Sequence, residues 1–266
     1  MKPTSYHVHS RWSDGQNSVR ELLEAAPAAG LAELGISDHF VLRPDGRWPF
    51  WSMDPNRLSD YVAEVQALQD QAAPGLPLRL GLEADFFPEQ QEALREILGS
   101  YPFDYLIGAV HYVDGFLVDA DPHSWAALSP QEVNAVWRGY WERIAGLARS
   151  GLYDFVAHLD LPKLFCHRPT VDLSEEVQAA LEAIAAAGLA VEVNTAGWHR
   201  PCQEAYPAQE LLHACRQRGI PALVNTDAHA ISHLGRDLER GVDWLRRAGY
   251  REVVRFAGRQ RVAVAV

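Results

Sequence analysis

The sequence predicts an α/β fold with a parallel sheet, and three observations lead to this prediction. Short runs with strand character alternate with runs of helical periodicity along the chain. Histidine and carboxylate residues follow the strand-like runs directly, at the carboxyl ends where α/β barrels carry their active sites. The length of 266 residues is ordinary for one α/β barrel. We therefore predict a single domain over residues 1–266.

Seven segments are predicted to be strands because each is a short, largely apolar run that precedes a loop or helical sequence. They are residues 4–9, 33–39, 76–82, 103–110, 154–158, 189–193 and 220–224. We also expect a further short strand within the C-terminal run 253–266.

Helical sequence follows each of these strands. The first helix, residues 18–26, opens with Ser18 and Glu21, which have the spacing of a capping box, and Gly30 ends it. The other predicted helices are residues 58–71, 90–98, 130–149, 174–187, 204 or 207 to 218, and 238–248. The long loop 40–55 carries Trp48, Phe50 and Trp51, which either line a pocket or fasten the loop to the barrel.

Composition limits the classes of function. The formal net charge of -11 makes the chain a poor general binder of nucleic acid or anionic membrane. No apolar run reaches the roughly 18 residues of a membrane helix, and the N-terminus lacks a signal-peptide core. Three scattered cysteines do not suggest a disulfide framework, so we expect a reducing cytoplasm.

The first strand carries a candidate metal site. His7 and His9 lie two residues apart, so both side chains point to one face of a strand and can reach the same ion. Asp227 and His229 repeat this spacing at the end of the seventh strand. Further imidazoles and a carboxylate occupy the ends of other strands, namely His39, Glu83, His111 and His158. Only His213 lies in a clear helix interior, so the histidines are not randomly placed.

These positions together resemble the polymerase-and-histidinol-phosphatase (PHP) superfamily. The motifs that carry the resemblance are His7-x-His9, Asp14, Ser37-Asp38-His39, Glu83, Gly108-Ala109-Val110-His111, His158 and Asp227-Ala228-His229, in family order from residue 6 to about 235. The resemblance implies a distorted (β/α)7 barrel with three divalent metal ions.

The resemblance also implies how the ligands are shared among the three ions. The first ion would be held by His7, His9, Glu83 and Asp227. Glu83 would bridge to a second ion, which His111 and His158 also hold. The third would be held by Asp14, His39 and His229. Asp14 departs from the family pattern, since many members have histidine there.

Clustered metals suit the hydrolysis of phosphate esters. They lower the pKa of a bound water, neutralise phosphate charge and orient in-line attack, so that a metal-activated hydroxide can react. Mixed imidazole and carboxylate ligands without thiolate suit zinc, iron or manganese. Asp14, His39 and His229, the residues of the third site, are also candidate catalytic groups.

Groups that grip phosphate are expected on the loops after strands five and six. Arg168 and Arg200 can fork two phosphate oxygens, while Lys163 is a weaker candidate. His199, or alternatively His167 or His233, is a candidate proton donor to the leaving alcohol. Asp85 is a candidate acceptor for an amine of the substrate.

Within the superfamily, the resemblance implies hydrolysis of L-histidinol phosphate, a small phosphomonoester, in histidine biosynthesis. One alternative is a phosphoesterase that acts on another small phosphomonoester or on nucleotide 3′ ends. A second is a metal-stabilised binding module without activity. We expect neither a nucleic-acid nor a membrane partner, and the oligomeric state is left open.

Overall fold

The computed structural model describes residues 3–73 and 75–266. Its strands are β1 Thr4–Ser5, β2 Glu33–Ile36, β3 His39–Phe40, β4 Leu78–Leu80, β5 Glu83–Asp85, β6 Ile107–Ala109, β7 Tyr112–Val113, β8 Phe116–Leu117, β9 Phe155–Val156, β10 Ala190–Asn194, β11 Ala222–Asn225, β12 Glu252–Ala257 and β13 Gln260–Ala265. Its α-helices are α1 Val19–Ala25, α2 Leu58–Gln69, α3 Gln91–Gly99, α4 Pro122–Ala126, α5 Pro130–Arg149, α6 Ser174–Ala187, α7 Gln209–Gln217 and α8 Leu238–Arg247.

Two parallel sheets form the centre of the molecule. One has the order β1-β2-β4 and the other the order β11-β10-β9-β6-β5-β3. The chain runs from the first sheet to the second twice, from β2 to β3 and from β4 to β5. Their pairing keeps one register, because Ile36 lies opposite Leu80 and, three residues further along both strands, His39 lies opposite Glu83. The α/β class with parallel strands is thus confirmed.

The sheets curve into a distorted barrel whose hydrogen-bond ladder is not continuous. β1 and β11 belong to different sheets, yet the chain just after each forms a parallel bridge between Val8 and Ala228. The His9 N–H donates to the Ala228 carbonyl at 2.8 Å there. The first and the last of the parallel strands in chain order therefore meet at one edge.

An aromatic side chain crosses the inside of this barrel. The Tyr105 hydroxyl donates to the Tyr6 carbonyl at 2.6 Å, and its ring lies against two glycines. A Cβ on Gly81 would lie 2.1 Å from Tyr105 Cζ, and one on Gly35 would lie 2.2 Å from the hydroxyl oxygen. Both positions therefore lack a side chain because the ring occupies that space.

The C-terminal run forms the antiparallel hairpin β12–β13, one strand more than expected. Phe256 packs within 5.6 Å of Phe155 and 6.3 Å of Tyr6, measured between ring centroids. Phe155 begins β9 and Tyr6 precedes the histidines of the first strand, so the hairpin covers the amino ends of the strands. The carboxyl ends stay open for the candidate site.

Helix boundaries follow the local sequence signals. Ser18 and Glu21 form the expected capping box at α1, and Ser129 and Glu132 form another at α5. α7 begins only at Gln209, later than predicted, because Tyr206 bridges back to Asn194 in extended conformation. The connection 112–128 contains the hairpin β7–β8 and α4. No helix in the described part of the chain is long and apolar enough to cross a membrane.

Candidate metal centre

The side chains predicted to bind metal converge at the carboxyl ends of the parallel strands. They are His7 and His9 after β1, His39 in β3, Glu83 in β5, His111 after β6, His158 after β9, Asp227 and His229 after β11, and Asp14 on the first loop. Parallel strands present these ends on one rim, so residues far apart in sequence become neighbours. His7, His9 and Glu83 are completely buried.

Glu83 lies at the middle of the cluster. Its Oε2 is 3.3 Å from His7 Nε2 and 2.6 Å from His39 Nδ1. Its Oε1 is 3.1 Å from His158 Nε2 and 3.8 Å from His111 Nε2. Its Oε2 also lies 3.7 Å from His9 Nε2. One carboxylate thus faces five imidazoles, a position from which it can bridge two ions.

Two aspartates complete the cluster on the other side. Asp227 Oδ1 lies 3.3 Å from His9 Nε2 and 3.7 Å from His7 Nε2. Asp14 Oδ1 lies 3.3 Å from His229 Nε2 and 3.8 Å from His39 Nε2. Asp14 therefore joins the residues with which the resemblance groups it, although it is a carboxylate where histidine is common.

The donor set fits divalent metal ions. In four groups, each residue offers one donor atom that lies within 4.8 Å of those of the other members: His9-Asp14-His39-His229, His7-Glu83-His158, His7-His9-Asp227 and His39-Glu83-His111. Several of these buried atoms make no hydrogen bond with any described residue, among them His7 Nε2, both ring nitrogens of His9 and Glu83 Oε2. Buried polar atoms rarely lack a partner, and a metal ion would supply one to all of them.

Glu192 contacts the cluster on the side away from the candidate ions, through His7. The sequence alone did not identify it as a site residue. It is completely buried, and His7 Nδ1 lies 3.0 Å from its Oε1. The side-chain amides of Asn194 and Asn225 and the backbone N–H of His158 also donate to it. A carboxylate bonded to His7 Nδ1 leaves Nε2 to face the ions. The signal was present, since an acid inside a strand of buried residues rarely lacks a partner.

Asp85 orients a second imidazole in the same way. It was a candidate acceptor for a substrate amine, but it is buried and lies 2.6 Å from His111 Nδ1. Asp38 accepts hydrogen bonds from the backbone and hydroxyl groups of Ser10 and Ser13. These bonds hold the turn that leads to Asp14.

The backbone at Asp227 is strained. Its φ of 49° lies in the left-handed region, which is costly for a residue with a side chain. The Asn194 amide donates to Asp227 Oδ2 at 3.1 Å and thus helps to hold this conformation. Such strain persists where the surrounding structure fixes the residue, typically at functional sites.

Electrostatics prepare the cluster for cations. Burial would raise the pKa of Glu83 and Asp227, but nearby imidazoles, His7 foremost, hold both pKa values well below the usual range. Burial, together with His229 and His39, lowers the pKa of His9 to about 3. His9 is therefore neutral near pH 7, the form in which an imidazole binds metal.

A cavity of about 590 Å³ opens onto this centre. Phe50 and Trp51 line it, which agrees with one of the two roles predicted for the aromatic loop, whereas Trp48 is not part of the lining. The Trp51 ring lies 4.8 Å from that of His39. Arg200 also lines the cavity, together with Asp119 and Asp121. The cavity thus joins the candidate metal centre to an aromatic wall and one arginine.

The other predicted phosphate-binding groups, Arg168 and Lys163, and the predicted proton donor His199 lie outside this lining. Arg168 is half exposed and pairs with Glu204 at 3.2 Å, and His199 Nε2 lies 2.6 Å from Asp237 Oδ2. Lys163 is completely buried and bonds to Asp160 and Glu204, each at 2.9 Å. These contacts depend on loop conformations, which the sequence does not reveal.

A barrel with clustered imidazoles and carboxylates at its strand ends defines a metal-dependent enzyme class of the α/β type. Comparison with known proteins specifies the class further. The PHP domain model matches residues 5–196. The chain belongs to the PHP domain family.

Relatives and solved structures agree with this assignment. A probable histidinol-phosphatase of Deinococcus radiodurans is 40% identical over 252 residues, which cover 93% of this chain and 94% of the relative. The histidinol-phosphatase of Bacillus subtilis is 26% identical and covers 88% of this chain and 96% of its own. The histidinol phosphate phosphatase of Lactococcus lactis, solved with zinc, L-histidinol and phosphate, matches with a TM-score of 0.81. It is 22% identical and covers 98% of this chain and 99% of its own, which establishes a shared fold.

Proposed function

We propose that this protein is a metal-dependent phosphatase that hydrolyses L-histidinol phosphate to L-histidinol and phosphate. The observation that carries the proposal is the convergence of nine imidazole and carboxylate side chains, several with unpartnered buried atoms, in one cluster. Six of the nine line the cavity that opens onto this cluster. The relatives named histidinol-phosphatase, and the Lactococcus lactis protein that binds zinc, L-histidinol and phosphate, support this substrate.

We further propose that three divalent ions, either zinc, iron or manganese, share the nine ligands. The first would be held by His7, His9, Glu83 and Asp227, the second by Glu83, His111 and His158, and the third by Asp14, His39 and His229. The close group His7-His9-Asp227 supports the first site, and Asp14, His39 and His229 stand close together as the third site requires. The other two groups join Glu83 with His158 and with His111, as the second site requires, but each includes one residue of a neighbouring site, His7 or His39. The zinc in the Lactococcus lactis structure supports zinc as one occupant.

Bound metal ions would neutralise phosphate charge and supply a nucleophile at neutral pH. The chain's own residues would do the remaining work. Glu192 and Asp85 hold the ring orientations of His7 and His111. Arg200 would contact phosphate oxygens and Trp51 would shield them from water, and the position of both residues on the cavity wall supports these roles. Arg168 and His199 stay predictions as phosphate-binding and proton-donating groups.

The test measures phosphate release from L-histidinol phosphate beside sugar phosphates, nucleotides and short oligonucleotides, with metal content assayed on the same sample. We expect strong preference for L-histidinol phosphate. His9→Ala and Glu83→Ala should lose bound metal and nearly all turnover, while His213→Ala, an exposed change on α7, should leave both unaltered. Full metal content and normal turnover in the first two variants would contradict the ligand assignment.

The other outcomes separate the alternatives. Equal or faster turnover of a different phosphoester would keep the metal centre and overturn the substrate. Bound metal with no turnover of any ester would favour a binding module. We propose that residues 1–266 work as one domain in the cytoplasm. One cluster of buried apolar residues that extends from Val8 to Val253 supports the single domain.

A further inference from the structure

The carboxylates that line the cavity have different partners. Asp14 and Asp227 face the imidazoles of the candidate metal centre. Asp121 caps α4, because its side chain accepts from the backbone N–H groups of His123 and Ser124. Asp119 neither caps a helix nor bonds to an imidazole of the centre. Its Oδ1 is buried, and no donor in the described part of the chain bonds to it.

The backbone holds Asp119 in a defined place. The N–H of the preceding residue, Val118, donates to the His111 carbonyl at 2.9 Å. The Val118 carbonyl in turn accepts from the Trp125 indole at 2.8 Å, and both Val118 and Trp125 are completely buried. Asp119 is therefore fixed beside the strand end that carries His111, and not on a freely moving loop.

Asp119 and Asp85 both lie close to His111, but they differ in their contacts. Asp85 already bonds to His111, whereas Asp119 opens into the cavity. A buried carboxylate oxygen without a donor is costly, so a ligand that brings a cationic donor gains from pairing with it.

We propose that Asp119 is a specificity-determining residue that accepts a hydrogen bond from the ammonium group of the substrate. This inference rests on the proposed function. In L-histidinol phosphate the amine lies on the carbon next to the ester-bearing carbon, so it must sit close to the phosphate and hence to the metal centre. Asp119 borders that centre, while the aromatic wall of Phe50 and Trp51 is free for the imidazole.

The test compares Asp119→Asn with the wild-type protein on three substrates. They are L-histidinol phosphate, its analogue without the amine, and p-nitrophenyl phosphate. We expect kcat/KM for L-histidinol phosphate to fall about 10- to 100-fold, mainly through a higher KM. Turnover of the other two esters should change little, because neither brings an ammonium group.

Asp121→Asn is the matched control. It removes one negative charge from the same cavity wall, and asparagine still caps a helix well. It should leave the preference for the amine unchanged. Bound metal and melting temperature, measured for each variant, should match the wild-type protein if Asp119 acts on the substrate alone.

Three results would overturn the inference. If Asp119→Asn prefers L-histidinol phosphate over the esters without the amine as strongly as the wild-type protein does, Asp119 does not bind the amine. The proposed function would then remain intact, because the wild-type protein still hydrolyses L-histidinol phosphate. Equal losses on all three esters would show a general role at the centre. Wild-type turnover of p-nitrophenyl phosphate but not of L-histidinol phosphate would overturn the proposed function, and the inference with it.

Discussion

Glu192 shows how one side chain can position the candidate centre from outside it. Four donors converge on its carboxylate, from His7, His158, Asn194 and Asn225. Burial would raise its pKa, but His7 lowers it overall, so the group is ionised at neutral pH. Its charge both fixes the His7 ring and compensates for positive charge at the centre.

Changing Glu192 to Gln should therefore weaken metal binding. Glutamine keeps the shape of the glutamate side chain, but its NH2 group is a hydrogen-bond donor and would face the donors that now bond to the carboxylate. We expect a loss of about 10- to 100-fold in metal affinity, with part of the turnover recovered at high metal concentration. Titration with zinc, followed by turnover, measures both. Glu182→Gln, an exposed change on α6, is the control and should alter neither.

At the scale of the elements, the hairpin β12–β13 closes the end of the barrel away from the cavity. Phe256 is almost fully buried between Tyr6 and Phe155, whereas Val262 on the other strand is 61% exposed. The hairpin thus contributes packing to the barrel and no residue to the lining of the cavity.

Removal of the Phe256 ring should destabilise the fold without altering the chemistry. We expect Phe256→Ala to lower the free energy of unfolding by about 3–5 kcal/mol, because it leaves a cavity among aromatic rings. Val262→Ala should have little effect. Denaturant unfolding measures the change, and turnover at saturating metal and low temperature should match the wild-type protein. A stable Phe256→Ala variant would mean that the hairpin is not part of the core.

Two glycines give a second contrast at this scale. Gly81→Ala would place Cβ 2.1 Å from the Tyr105 ring, so we expect a loss of at least about 1–3 kcal/mol. Gly99 ends α3 with open space around it, and Gly99→Ala should gain about 0.5 kcal/mol. Thermal unfolding of both variants checks the signs. Equal losses in both would contradict the account of the Tyr105 ring.

At the scale of the whole molecule, protons and metal ions compete for the same imidazoles. Burial lowers the pKa of His111 and His229, but Asp85 and Asp14 respectively raise them, to about 10 and about 9. Both exceed the value of about 6.5 in the unfolded chain. The stability that these protons contribute is thus fully present below about pH 6.5 and is lost as the pH rises through 9 and 10.

The metal-free protein should therefore melt at lower temperatures as the pH rises from 6.5 to 10. A bound ion takes the place of the protons, so the zinc-loaded protein should change less over this range. Calorimetry on both forms at several pH values measures the difference. A metal-free melting temperature that stays constant across the range would argue against protonated imidazoles in the fold.

The sequence was a good guide to the strands and to which candidate ligands lie close together, and a poor guide to the loops. Except for Asp14 on the first loop, the candidate ligands lie at strand ends, where parallel topology alone brings them together. Arg168 and His199 lie on loops, where their pairing with Glu204 and Asp237 depends on conformations that no local pattern encodes. Glu192 was missed because the sequence shows that an acid inside a buried strand needs a partner, but it does not show that this partner is His7.

The bridge between Val8 and Ala228 has a consequence for how the protein is made. The first ligands leave the ribosome near the start of synthesis, but Asp227 and His229 emerge only when some two hundred further residues have been added. A nascent chain therefore holds its early histidines unassembled for most of translation. The full set of candidate ligands exists only after synthesis has reached His229, so we expect complete metal binding to follow the synthesis of most of the chain.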